Sequence, residues 1–149
     1  MKKFLALFLF ALTAAAASAQ SAEKITQIID SGEITYEQSA WLACSYAQLI
    51  QDDADYGQAM SAAVEKGWVS SGAVAQNPID LKDICGLFAK ATGLKGGLFS
   101  RLTKANRYAY KEIKAMGVLD AAADPSMRVN GQNAVAILNA CIKKTGGSK

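Results

Sequence analysis

The residues best suited to chemistry lie in one stretch, Lys95 to Lys114 (KGGLFSRLTKANRYAYKEIK). Six cations, Lys95, Arg101, Lys104, Arg107, Lys111 and Lys114, are set there against the single acid Glu112, and Phe99, Tyr108 and Tyr110 are interleaved with them. Arginine and lysine offer charge-assisted hydrogen bonds to carboxylate or phosphate, and a tyrosine ring offers a face for stacking. Read as a binding surface, the stretch nominates Lys95, Arg101, Lys104, Arg107, Tyr108 and Lys111 as ligand contacts. The ligand would be an anionic glycan, a lipid headgroup or an acidic protein. The competing reading is a solvated basic face whose tyrosines belong to the core, and Tyr110 does stand on the apolar register of its own segment.

Other chemistries find fewer residues. The chain has no histidine, which removes the usual Ser-His and Cys-His nucleophile pairs and most zinc sites, and no spacing singles out a pair of carboxylates. Neither catalysis nor a cofactor nor a metal is expected. Asp52-Asp53-Ala54-Asp55-Tyr56-Gly57 has only the outline of a calcium loop: with Gly57 as the sixth position, Ala54, Tyr56 and Ala63 fall where ligands are needed. Asp55 reads better as the cap of the helix that follows. Gly93-Leu94-Lys95-Gly96-Gly97 lacks the first glycine and the Lys-Ser/Thr ending of a phosphate loop, and it follows a helical pattern where that motif requires a strand. A helix terminus and turn is expected there. Trp41 and Trp68 are candidate ligand platforms, although Trp68, one residue past a helix-ending glycine, is expected to pack in the core. Cys44, Cys85 and Cys141 match no metal motif; they are either small buried side chains or one disulfide with a thiol left over.

Helical periodicity dominates the elements that must position these residues. Thr35–Ile50, Asp80–Ala91 and Asn130–Lys143 are three longer amphipathic segments. Each opens with an oxygen-bearing N-cap and a polar residue three places on: Thr35 and Gln38, Asp80 and Asp83, Asn130 and Asn133. Ile34, Ile79 and Val129 precede the caps, in the position of a hydrophobic staple. Shorter helices come before them, Ile25–Ser31, Tyr56–Lys66 and Arg107–Met116, and run into Gly32, Gly67 and Gly117, which suit a left-handed terminus. From glycine to cap the chain takes 3 residues in the first copy and 13 in the second and third. The two prolines, Pro78 and Pro125, fall in these connections, where no helix runs.

A short helix ending in glycine and an apolar pair (Gly67-Trp68-Val69, Gly117-Val118-Leu119), a loop with proline, then an apolar residue, a cap and a longer helix resembles the S-layer homology repeat. Three repeats, counted over Glu23–Lys143, is also that family's usual number. The resemblance implies an all-α, compact SLH-like bundle and a role in binding a cell-wall polysaccharide. In the family an arginine at the second place of a Thr-Arg-Ala-Glu-type tetrad contributes to that binding. The tetrads here are Thr35-Tyr36-Glu37-Gln38, Asp80-Leu81-Lys82-Asp83 and Asn130-Gly131-Gln132-Asn133, none with that arginine, and the loops are shorter than the family's.

The first residues read as an address. Lys2 and Lys3 precede an apolar run, Phe4–Leu12, and Ala17-Ser18-Ala19 supplies the small side chains of a signal-peptidase site. Cleavage is expected between Ala19 and Gln20, the apolar stretch being too short to span a bilayer. Without residues 1–19 the chain carries 14 basic and 13 acidic side chains, so its charge is local rather than global, and nucleic acid is not an expected partner. Residues 20–149 make one helical domain's worth of chain, with repeats about 23–50, 55–92 and 98–143. The expectation is an exported, non-enzymatic binding or structural module of the cell envelope, periplasmic or at the cell surface, with no transmembrane anchor after cleavage. Its partner would be an anionic envelope polysaccharide; the alternative is an adaptor that docks an envelope protein.

Overall fold

Three helices among the described residues begin where a polar side chain satisfies an orphaned backbone N–H. The computed structural model describes residues 21–94 and 106–146. Over them the chain is all-α: α1 spans 21–29, α2 Tyr36–Tyr46, α3 Tyr56–Glu65, α4 Leu81–Thr92, α5 Asn106–Ala115 and α6 Gly131–Lys144. Thr35 Oγ1 accepts the Gln38 N–H at 3.3 Å while Gln38 Oε1 accepts the Thr35 N–H at 3.0 Å. Asp55 and Gln58 repeat the arrangement at 2.7 and 2.9 Å, so α2 and α3 each start in a complete capping box. Asn130 caps α6 by accepting the Asn133 N–H at 2.8 Å.

Three local expectations are corrected. Asp80 has the extended backbone of an N-cap but makes no side-chain cap to α4. Its carboxylate is taken instead by Lys82 Nζ at 2.7 Å and Arg128 Nη1 at 2.5 Å, since a full positive charge is a stronger donor than an amide. Helix α2 stops at Tyr46, short of Ile50, because Gln48 takes φ 55° and the Leu49 N–H turns back to the Cys44 carbonyl at 2.9 Å. Gly67, Gly93 and Gly117 do sit at φ 67°, 69° and 74°, but Gly32 is not left-handed; α1 has already closed with Ser31 N–H on the Ile28 carbonyl at 3.1 Å.

The helices fall into three pairs, α1 with α2, α3 with α4 and α5 with α6, each a shorter helix, a connection and a longer helix. Helix α3 packs on α2, α5 packs on α4, and α4 also packs against α2 and α6. Ile34, Ile79 and Val129, the residues before the caps, are all buried; each such side chain is worth roughly 1.5–3 kcal/mol of burial. They meet through backbone as well, Ile34 N–H on the Val129 carbonyl at 2.7 Å and Ile79 N–H on the Ile34 carbonyl at 3.0 Å.

Each longer helix has its first N–H groups satisfied by the connection of another pair. Tyr36 and Glu37 donate to Asn77 and Ala75 at 3.1 and 3.0 Å, and Leu81 and Lys82 donate to Met127 and Pro125, both at 2.9 Å. Gly131 closes the ring by donating to Ser31 at 2.9 Å. This last contact lies under the short α1–α2 connection and brings backbone against backbone. A Cβ on Gly131 would lie 1.6 Å from the Ile28 carbonyl oxygen. Among the described residues no helix is long and apolar enough to cross a membrane.

Candidate binding surface

Of the six nominated contacts, Arg107, Tyr108 and Lys111 fall on α5, and Lys95, Arg101 and Lys104 lie outside the described residues. Tyr110 and Ile113, three places apart, turn α5's apolar side inward and are buried. That leaves Arg107 and Lys111, one turn apart, exposed on the same side. Lys111 Nζ stands 6.0 Å from the centre of the half-buried Tyr108 ring, within cation–π range. Lys114, counted with the basic stretch in sequence, does not belong to the open surface. Its ammonium donates to the Ala123 carbonyl at 2.9 Å and the Tyr110 hydroxyl at 3.2 Å, while Tyr110 itself donates to Ala123 at 2.5 Å. These bonds tie α5 to the connection that follows it.

The other end of α5 is fixed by Asn106. Its side-chain amide donates to Asp83 Oδ1 at 3.0 Å and lies over Gly86, where an added Cβ would be 2.2 Å from Asn106 Oδ1. Glycine at this point of α4 is what lets α5 come so close. Tyr36 donates to the other Asp83 oxygen at 2.8 Å. Burial, the bond to Asp83 and that carboxylate's charge together push the Tyr36 hydroxyl up to about 12. Tyr36, Asp83 and Asn106 line a cleft of about 80 Å³ together with Trp68 and Ser70.

A second, larger groove of about 450 Å³ lies between the start of α4, the connection 118–129 and α6, and is lined mainly by Leu81, Val118, Leu119, Val129, Ala136 and Ile137. Arg128, at its edge, donates to the Pro78 carbonyl at 2.8 Å as well as to Asp80. Sequence reasoning gave Arg128 and Asn106 no role and took Asp83 only as the polar residue three places past the Asp80 cap. The signal for Arg128 was its place two residues before a cap, where the preceding copy has Pro78.

The remaining candidates have structural positions. Trp41 is buried, donates Nε1–H to the Ala54 carbonyl at 3.1 Å and meets Tyr56 edge-on at 6.4 Å between ring centres. Trp68 is partly buried against the core. Asp55 is held in its capping box, and no group of three or more His, Cys, Asp or Glu side chains among the described residues can hold a metal ion. Cys44, Cys85 and Cys141 are buried free thiols rather than a disulfide. Burial pushes Cys44 and Cys141 up to about 11, and burial with the nearby Cys141 pushes Cys85 to about 12. Thiols held that far above neutrality are poor nucleophiles and poor metal ligands. The chain matches no known family model, no curated protein and no solved structure.

Proposed function

We propose that this chain is an exported, non-enzymatic binding module of the cell envelope, cut between Ala19 and Gln20 and built from three S-layer-homology-like repeats, that takes an anionic envelope polymer on the open side of α5. One observation carries the reading. Arg107 and Lys111 stand one turn apart and exposed beside the Tyr108 ring, on a helix whose other side is tied down by Tyr110, Ile113, Lys114 and Asn106. Such a helix offers charge without having to order itself on binding, which keeps the entropic cost of association low. The ring of hydrogen bonds that joins the starts of α2, α4 and α6 supports the repeat reading. The groove beside α6 favours a second reading, an adaptor for an envelope protein, because its lining is mainly apolar.

Sedimentation with purified cell-wall sacculi carrying their attached anionic polysaccharide tests the first reading. Binding should weaken with salt, and Arg107→Ala with Lys111→Ala should lower it roughly three- to tenfold. Lys143→Ala with Lys144→Ala, which removes exposed charge from α6, should leave it unchanged. Equal binding by the α5 double variant overturns the site, and no sedimentation with sacculi at low salt overturns the polymer reading.

A further inference from the structure

We propose that the outer side of α6 and the groove beside it receive helix α1 of a second copy of this chain, giving a head-to-tail association. The observation is an inequality among three equivalent surfaces. Counting from the N-caps, Trp41, Gly86 and Ala136 occupy the same place on the longer helices, and Cys44, Ala89 and Asn139 the next place on the same side. On α2 both are buried, covered by α3: Tyr56 meets Trp41, and Cys44 Sγ lies 3.5 Å from the Ala59 carbonyl. On α4 both are buried too, with Asn106 of α5 seated over Gly86. On α6, Ala136 and Asn139 are exposed. The cleft that Asn106 fills beside α4 is about 80 Å³, whereas its counterpart beside α6 is about 450 Å³.

The matching half of the missing contact is on the same chain. Met60 of α3 and Tyr110 of α5 are 9% and 6% exposed, but Ile25, their equivalent on α1, is 41% exposed. The far end of α1 reaches α6, where Ile28 abuts Gly131. Its start is held elsewhere, with Ser21 Oγ on the Asp52 carbonyl at 2.7 Å and Lys24 Nζ on the Ala54 carbonyl at 2.9 Å. One chain therefore presents an uncovered long-helix side and an uncovered short-helix side, which are the two halves of a contact it makes twice internally. Because the halves are different surfaces, their pairing between molecules is heterologous and can continue from copy to copy. One short helix against one helix side falls below the roughly 1,200 Å² of a stable interface, so the association is weak and depends on concentration.

Sedimentation velocity of the purified protein from about 10 to 500 μM, the range in which so small an interface should act, tests this. The weight-average coefficient should rise with concentration. Ala136→Arg and Ile25→Glu, both at exposed positions, should each abolish the rise, while Val74→Glu, at an exposed apolar residue on a different connection, should not. An equimolar mixture of the Ala136→Arg and Ile25→Glu variants should form a 1:1 pair and stop there, since each retains the half the other lacks. A monomer throughout the range overturns the proposal. So does self-association that neither variant alters, or a mixture that stays monomeric.

Discussion

Gly131→Ala is the most discriminating single substitution. Alanine is the better helix former by about 1 kcal/mol, so at a helical position free of neighbours the change would stabilise the protein. Gly131 is not free. The new Cβ would lie 1.6 Å from the Ile28 carbonyl oxygen, 2.6 Å from the Ile28 carbonyl carbon and 3.0 Å from the Ile29 Cα. All three are backbone atoms, so no rotamer relieves the clash and α1 must move off the start of α6. That movement breaks the Gly131 N–H to Ser31 bond, worth about 1 kcal/mol, and uncovers part of the buried Ile28, worth roughly 1.5–3 kcal/mol.

Set against the gain in helix propensity, the net cost is about 1.5–3 kcal/mol, equivalent to a fall in Tm on the order of 10 °C for a domain of this size. Thermal and urea denaturation followed by circular dichroism measure it. Gly32→Ala is the control, because Gly32 has open space around it and no left-handed φ. It should be neutral or up to about 1 kcal/mol stabilising, through the unfolded chain. A Gly131→Ala protein as stable as the parent would refute the close approach of α1 to α6, and a strongly destabilised Gly32→Ala would refute the conformation assigned to that connection.

Three further outcomes are expected. Thr35→Ala removes a complete capping box and should cost about 1 kcal/mol at any ionic strength; Asp80→Ala removes only part-exposed ion pairs and should cost less, by an amount that shrinks with salt. Tyr56→Phe should be neutral to about 1 kcal/mol stabilising in the same assay, because the Tyr56 hydroxyl oxygen is buried with no hydrogen-bond partner. Alkaline pH should destabilise the fold: Tyr36 is raised from 10 to about 12 and the three thiols from 9 to about 11–12. Their neutral forms are favoured when folded, so this stability is complete below pH 9 and is lost as pH climbs through 11–12. Urea midpoints from pH 8 to 11 measure the loss, and Tyr36→Phe should flatten the upper part of the curve.

How much of this was legible depended on how far apart the interacting residues stand. Thr35, Asp55 and Asn130 act on N–H groups three places away, and their roles follow from local spacing. Ile34, Ile79 and Val129 were legible as a set because the same staple position recurs three times. Asp80 misled because two cations share its carboxylate, and one of them, Arg128, is 48 residues away. Gln48 misled because nothing in glutamine announces a left-handed turn. On α5, periodicity separated Tyr110 from Arg107 and Lys111, but it could not show that Lys114 would be spent on the Ala123 carbonyl. The partnership of Asn106, Gly86 and Asp83 joins two helices, and no spacing within either one reveals it.

The first residues of the three longer helices, Tyr36, Leu81 and Gly131, differ in size for a reason that lies in the connections above them. Tyr36 and Leu81 sit under connections of 13 residues, where Tyr36 reaches Asp83 and Leu81 lines the groove. Gly131 sits under the connection of 3 residues, which brings the backbone of α1 down onto it. If the short connection is the cause, lengthening it should remove the need for glycine. Inserting three residues between Gly32 and Glu33 in the parent protein should cost about 1 kcal/mol, mainly the lost Gly131 to Ser31 bond, since loop closure itself grows slowly with length. In the Gly131→Ala background the same insertion should restore stability, giving a coupling energy of at least about 1 kcal/mol of favourable sign. Additive costs would mean that something other than the connection presses Ile28 against Gly131.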